Sequence, residues 1–431
     1  MDRSSTIYAL SSGSVPAGVA IIRVSGRGVR FVLETMAGSV PAPRRALLRD
    51  ICAADGTLLD RGLVLFFPAP ASFTGEDCAE FHLHGGRAVV AAVLSALSAI
   101  AEVRTAEAGE FTRRAFVNGK LDLTAAEALG DLIEAETESQ RRLAVANASG
   151  RQRDLYAGWR KRLLELRALV EAAIDFSDEG DVGSRVVESV DGKCHALQQE
   201  IRAHLARGRD GEIARDGYRV VIAGAPNAGK SSLLNALAGR DVAIVTPEAG
   251  TTRDVIEVVL DLGGARVIVA DTAGIRDGAG TVESIGIARA EAAALSADLV
   301  LSLYSNDTPA ASVTSWGAIL PLRSKVDLDA TPERGISALT GHGIDTLLAE
   351  IRTRALTHTS AALGQTVPTR RRHVDLLTAC ASALAECMVA EDVELKAEAL
   401  RSAAYELGKL TGDIAVEEIL GEVFARFCIG K

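Results

Sequence analysis

Residues Gly224-Ala225-Pro226-Asn227-Ala228-Gly229-Lys230-Ser231 set two glycines, a lysine and a hydroxyl at the spacing G-x-x-x-x-G-K-[ST]. Such a loop holds phosphate. The glycines let the backbone wrap close to phosphate oxygens, and the N–H groups of Asn227, Ala228, Gly229 and the helix start at Ser232 supply partial positive charge. Lys230 is suited to neutralising β- and γ-phosphates, and the Ser231 hydroxyl to binding Mg²⁺. Three later stretches select the nucleotide. Asp271-Thr272-Ala273-Gly274 follows the apolar run Val267–Ala270, so a carboxylate at a strand end can hold the metal's water while a glycine amide senses the γ-phosphate. Ser324-Lys325-Val326-Asp327 is close to the guanine-specifying [NT]-K-x-D, in which the Asp accepts from the N1–H and exocyclic amine of guanine, groups that adenine cannot offer. Ser337-Ala338-Leu339 stands where a backbone amide would meet guanine O6. Four elements in this order indicate GTP rather than ATP. Position 324 is Ser where Asn or Thr is usual; a hydroxyl can still tether the loops, so guanine selectivity is expected to survive.

These motifs need strands that end at them. Arg219–Ala223, Arg266–Ala270, Asp298–Tyr304 and Ile319–Arg323 are strand candidates alternating with helix-like runs, a βαβ rhythm that implies a mostly parallel sheet. The α/β segment, 215–366, reads as an insertion into a helical domain whose first part is 119–214 and second part 367–431. In the first part, Thr124-Ala-Ala-Glu127 has capping-box spacing, and Leu155, Trp159, Leu163, Leu166, Val170 and Ile174 fall on one helical face. Residues 1–118 read as a compact α+β domain, with strands at Val19–Val24 and Gly62–Phe67 and a helix at Arg87–Ala101.

A chain of 431 residues has length for two or three domains, and 48% hydrophobic content excludes disordered and fibrous classes. The formal charge of −10 excludes bulk attraction to nucleic acid, so any RNA contact is local. Arg113-Arg114, Arg141-Arg142 and Arg370–Arg372 are the places where phosphates could be touched. Six scattered cysteines, with no C-x-x-C, fit a reducing cytosol and no zinc site. No signal peptide and no membrane helix are expected, which points to a cytoplasmic location.

The sequence resembles the MnmE (TrmE) family of tRNA-modifying GTPases over essentially its whole length. The resemblance rests on Gly250-Thr251-Thr252-Arg253-Asp254 with the nucleotide motifs, on Phe73-Thr74-Gly75-Glu76-Asp77 with His84-Gly85-Gly86, and on Cys428-Ile429-Gly430-Lys431. It implies a multidomain fold: an N-terminal α+β folate-binding-like domain, a discontinuous helical domain, and an inserted α/β Ras-like P-loop G domain. It also implies a homodimer formed through the N-terminal domain, which binds 5,10-methylenetetrahydrofolate, or 5-formyltetrahydrofolate as an analogue. Arg23, Glu80, Lys120 and Lys431 stand at the matching positions, where cations can pair with the folate's glutamate tail and a carboxylate with the pterin edge. For hydrolysis, Ile275 occupies the place of a water-orienting Gln, and the family's switch Glu matches Glu283. The family replaces an arginine finger with K⁺, matched here by Asn227, Thr246, Glu248 and Thr251, while Thr252 joins Ser231 at Mg²⁺. Cys428 is either a thiolate nucleophile or a small packing residue. The implied partners are tRNA and an FAD protein of the MnmG type in a heterotetramer. The implied product carries a carboxymethylaminomethyl or aminomethyl group at C5 of the wobble uridine, position 34.

Two other readings compete. A ribosome-assembly GTPase would share the nucleotide motifs, yet no KH-like G-x-x-G loop among basic residues stands out. A folate-dependent aminomethyltransferase with a decayed G domain would not be expected to keep Lys230, Ser231 and Asp271.

Overall fold

The structure, a computed structural model, describes residues 5–175, 182–244, 257–271, 295–306, 318–328, 335–414, 417–425 and 427–430. In chain order it contains β1 (Thr6–Leu10), β2 (Ala17–Ser25), α1 (Val29–Ala37), β3 (Leu47–Cys52), β4 (Leu58–Phe67), β5 (Cys78–Gly85), α2 (Arg87–Ser98), β6 (Val103–Thr105), α3 (Glu110–Val117) and α4 (Leu123–Glu134). Next come α5 (Glu138–Ala148), α6 (Arg151–Asp175), α7 (Val182–Leu205), α8 (Gly208–Asp216), β7 (Tyr218–Gly224), α9 (Lys230–Ala238), β8 (Glu257–Leu262), β9 (Ala265–Asp271), β10 (Leu299–Tyr304) and β11 (Ala318–Arg323). The last four helices are α10 (Ile344–Gly364), α11 (Arg371–Val389), α12 (Val393–Thr411) and α13 (Glu417–Ala425). Two compact units divide the chain: residues 1–130 with 408–431, and residues 131–407.

The first unit is built on a six-stranded sheet in the order β3-β4-β5-β2-β1-β6. Strand alternation sorts its two faces. On β5, Ala79, Phe81 and Leu83 are buried with Val32, Leu33 and Val93 of α1 and α2. Glu80, His82 and His84 therefore point to the opposite face. Residues 408–431 belong to this unit although the helical texture of 367–407 runs into them: Leu420 and Phe424 of α13 bury against Leu123 and Ala126, with Phe116 alongside. Periodicity shows that a segment is helical, not which core receives its apolar face.

At the start of α4, Thr124 does not act as the cap that its spacing suggested. The helix already runs from Leu123, and Asp122 Oδ1 accepts both the Ala125 N–H, at 3.0 Å, and the Thr124 hydroxyl. Thr137-x-x-Gln140 serves α5 instead, with Gln140 Oε1 accepting the Thr137 N–H at 3.1 Å.

The second unit holds a five-stranded sheet, β11-β10-β7-β9-β8, parallel except for β8 on β9. Val220, Ile222, Val267, Val269, Leu301 and Leu303 form its buried core with Leu233 and Leu237 of α9 and Ile344 and Ile351 of α10. The base of this sheet is fastened to the helices. The Ser139 N–H donates to Gly264 O at 3.1 Å, Arg266 pairs with Glu136 at 2.8 Å, and Arg209 Nε donates to Asp298 Oδ1 at 2.9 Å. On α6, Trp159, Leu163, Leu166 and Val170 are buried. Among the described residues no helix is long and apolar enough to cross a membrane, and no group of three or more His, Cys, Asp and Glu could hold a metal ion.

Candidate functional site

The phosphate loop begins where β7 hands over beside β10. Gly224 has φ +156°, and a Cβ there would meet Leu303 O at 2.6 Å, so only glycine lets the strand turn away. Asn227 at φ +63° and Gly229 at +92° complete the turn, and Gly229 is the N-cap of α9. The helix N-terminus, with Lys230, Ser231 and Ser232 in its first turn, is thereby aimed into the loop. The Lys230 ammonium donates to Gly224 O and Ala225 O at 3.0 Å each, which bridges the cradle. The Ser231 hydroxyl donates to Asp271 Oδ2 at 2.8 Å, so the hydroxyl expected to bind Mg²⁺ and the carboxylate expected to hold the metal's water are already adjacent. Two hard oxygen donors at the end of β9 and the start of α9 fit that ion.

The loops expected to read the base lean on the same cradle. Buried Ser324 donates its hydroxyl to Ala228 O at 2.6 Å and contacts Tyr304 O at 3.2 Å, so the tether expected of a hydroxyl at this position is present. Lys325 takes φ +59°, and Asp327 is exposed. Ser337 is buried and accepts the Thr340 N–H at 3.1 Å, while Ala338 is half-buried beside it. The Ile336 N–H donates to Arg323 O at 2.8 Å, which holds this loop against the end of β11. Ser324→Ala removes one buried hydrogen bond between the two loops and is expected to weaken GTP binding by roughly ten-fold. Titration with a fluorescent guanine nucleotide checks this; unchanged affinity would show the tether to be idle.

The first unit brings together a second set of predicted residues. Arg23 on β2 and Glu80 on β5 are register partners, and the guanidinium donates from Nε and Nη2 to Oε1 at 3.1 and 2.9 Å. His82 Nε2 lies 3.3 Å from the other carboxylate oxygen. The rings of Phe73 and Phe111 lie 5.3 and 5.9 Å from the Arg23 guanidinium carbon, within cation–π range. Lys120 donates to Pro70 O at 2.9 Å, in the same loop that carries Phe73. Cys428 is exposed on a segment docked at the end of β1: Gly430 O accepts the Ser11 hydroxyl at 2.8 Å, and Ile429 bridges to Ala108. Gly430, at φ +99°, passes so close that a Cβ would meet Leu10 O at 2.1 Å. Leu10 pairs with Ile22, the neighbour of Arg23, so the C-terminal segment docks one register position from the pair Ala9–Arg23. Thr246, Glu248, Thr251, Thr252, Thr272, Ala273, Gly274, Glu283 and Lys431 lie outside the described residues.

Some neighbours of these residues carry no recognisable spacing. Ser25 donates to Glu76 Oε2 at 2.9 Å and shares a 2.7 Å hydrogen bond with Thr74, and Arg114 reaches Glu76 and Glu110 at 3.0 and 2.9 Å. Burial alone would push the Glu110 carboxyl up, but hydrogen bonds from Arg104, the Glu107 N–H and Arg114 outweigh it and hold it below its ordinary range. His84 donates its N–H to Asp60 at 2.8 Å and sets its ring Nδ1 2.9 Å from the same carboxylate. There too burial pushes up, and the His84 hydrogen bonds hold Asp60 below its ordinary range. The alternation Glu80, His82, His84 was the one visible signal for this polar face. Two of the arginines suggested for phosphate contact are largely buried in ion pairs: Arg114 as above, and Arg370 with Asp131 at 2.6 Å, at side-chain exposures of only 11% and 14%. Spacing could not show that these two point inward.

Comparison with known proteins covers both units. The family model described as GTP-binding protein TrmE N-terminus matches residues 6–120, and the MnmE helical domain model matches 123–428. The chain is 52% identical over 442 residues to the tRNA modification GTPase MnmE of Brucella canis, covering 99% of this chain and 98% of that one. The chain belongs to the MnmE family. The MnmE of Chelativorans sp. is similarly related, at 53% identity over 434 residues and the same coverage. Among solved structures, Era in complex with MgGDPNP and nucleotides 1506–1542 of 16S ribosomal RNA aligns at 24% identity and a TM-score of 0.25. That alignment covers 32% of this chain and 56% of that one. MnmE membership makes this chain a GTP hydrolase, with the expected α+β N-terminal domain, discontinuous helical domain and inserted P-loop domain.

Proposed function

We propose that this MnmE-family GTPase works as a homodimer with an FAD-containing MnmG-type partner, in a heterotetramer in the cytoplasm. Together they form carboxymethylaminomethyl or aminomethyl groups at C5 of uridine 34 in tRNA, with the one-carbon unit drawn from 5,10-methylenetetrahydrofolate. The observation that carries the reading is the near-full-length relationship to curated tRNA modification GTPases, which spans the nucleotide cradle and the Arg23–Glu80 face alike. In the first unit, Glu80 accepts from the pterin's N–H donors, Arg23, Lys120 and Lys431 pair with the folate's carbonyl groups or glutamate tail, and Cys428 sits at the rim as nucleophile or packing residue.

In the second unit, Lys230 and the N–H groups of the loop hold the phosphates in place. Ser231 and Thr252 are the residues for Mg²⁺, Asp271 holds the metal's water, and Asn227, Thr246, Glu248 and Thr251 are those for K⁺. When bound, the two ions offset charge developing between the β- and γ-phosphates. Glu283 orients the attacking water, Thr272, Ala273 and Gly274 sense the γ-phosphate, and Lys325, Asp327, Ser337 and Ala338 hold guanine. The fastenings between α5 and the base of the nucleotide sheet carry the change on hydrolysis into the helices.

Two measurements test this. GTP turnover is expected to be at least ten-fold faster in K⁺ than in Na⁺ at equal ionic strength, because the smaller ion fits the same oxygens poorly; equal rates overturn the K⁺ assignment. Nucleoside analysis of bulk tRNA from cells lacking the protein is expected to show uridine 34 without its C5 group. Normal modification there overturns the function.

A further inference from the structure

Away from both sites, α7 and α11 pack side by side in opposite directions: Cys194 faces Cys387, and four residues later Gln198 donates to Ala381 O at 2.8 Å. Among the described residues, the buried apolar side chains of α7 include Val190, Cys194, Leu197 and Ile201, spaced four and three apart as in a two-helix seam, and α11 answers with Leu384 and Cys387 at the same kind of spacing. In such a seam a large aliphatic side chain is usual. Here two thiols meet instead, fully buried, with their sulfurs 3.9 Å apart. A buried cation stands beside them. Lys396 of α12, 3% exposed, donates to Cys387 O at 2.9 Å and to Asp191 Oδ1 at 2.7 Å, and Asp191 lies one turn before Cys194 on α7. The hydrogen bond from the Cys194 thiol holds Cys387 below the usual thiol range, with the Lys396 ammonium adding to the effect, and raises Cys194 in turn.

We propose that Cys194 and Cys387 are a redox-active pair that closes into a disulfide in the presence of a hydroperoxide, fastening α7 to α11. The chemistry balances with hydrogen peroxide as the oxidant. The Cys387 thiolate attacks one peroxide oxygen, the O–O bond breaks, hydroxide leaves, and a sulfenic acid remains. The Cys194 sulfur then attacks the sulfenic sulfur, the S–O bond breaks, and the thiol proton leaves with the hydroxyl as water. The two residues lie 193 positions apart, on either side of the whole nucleotide-binding sheet in the sequence. The crosslink closes the chain into a loop at the helices from which that sheet is inserted, while leaving the nucleotide cradle untouched. Such a long loop stabilises the fold mainly by restricting the unfolded chain.

The test uses the full-length protein, which has six free thiols when reduced. It is equilibrated with hydrogen peroxide or with a glutathione redox series, quenched in acid, alkylated and mapped without reduction. The expected result is a crosslinked peptide pair containing Cys194 and Cys387, cleaved by dithiothreitol. The thermal midpoint is expected to lie about 5–10 °C above that of the reduced protein. Cys387→Ala, shown to be folded by its reduced midpoint, is expected to lose both the crosslink and the shift; the mapping of the unaltered protein decides the matter even if that variant does not fold. Recovery of both Cys194 and Cys387 as free thiols after equilibration, or crosslinks that join other cysteines only, overturns the proposal and leaves the pair as packing.

Discussion

Lys230→Ala is expected to lower kcat/KM for GTP hydrolysis by at least a thousand-fold, about 4 kcal/mol of lost transition-state stabilisation. Two losses add. The ammonium is, among the described residues of the cradle, the side-chain cation proposed to neutralise the β- and γ-phosphates, and charge grows on the bridging oxygens as the γ-phosphoryl leaves. The same ammonium ties Gly224 O to Ala225 O, so its removal also releases the strand end that shapes the loop. Because Lys230 is 7% exposed, the truncation leaves a small void, and the variant's melting temperature should be measured beside its turnover. A variant that melts within a few degrees of the parent yet hydrolyses GTP within ten-fold of its rate would show that the phosphates are bound elsewhere. In cells, the same variant is expected to leave uridine 34 as unmodified as deletion does, since hydrolysis is the proposed conformational drive.

Much of this architecture was legible because local and global signals agree. The apolar runs ending at Ala223 and Ala270 lie on strands that are neighbours in the sheet, so the two polar groups just beyond them, Ser231 and Asp271, meet. Ser324 could be read as a tether because a hydroxyl needs only one carbonyl within reach, and Ala228 O supplies it. What escaped the sequence depends on which core an element joins. Helix α13 reads like the helices before it, yet Leu420 and Phe424 bury in the first unit, and this brings Cys428 to the end of β1. Arg114 and Arg370 belong to the same lesson: adjacent arginines look like a solvated face until a carboxylate, buried Glu110 or half-buried Asp131, claims one of each set. The facing of Cys194 and Cys387 needed the register between two helices separated by an inserted domain, which no periodicity within either helix contains.

Asp327→Asn is expected to weaken GTP binding by a hundred- to a thousand-fold and to create binding of xanthosine triphosphate. The carboxylate offers guanine two acceptors, one for the N1–H and one for the C2 amine. Asparagine keeps a single acceptor and turns the other position into a donor that faces the amine donor to donor, and an unpaired polar group in a closed site costs most of the discrimination. Xanthine carries a carbonyl at C2, so the amide NH₂ finds an acceptor there and the pairing is restored. The substitution leaves the scaffold alone, since Asp327 is exposed while the loop is positioned by Ser324 on Ala228 O and by Ile336 on Arg323 O. Competition titration with both nucleotides therefore isolates base recognition from folding. If GTP affinity is unchanged, or if the xanthine nucleotide gains nothing while GTP is lost, Asp327 does not read the base, and the order of motifs in this chain would have to be explained without a guanine site.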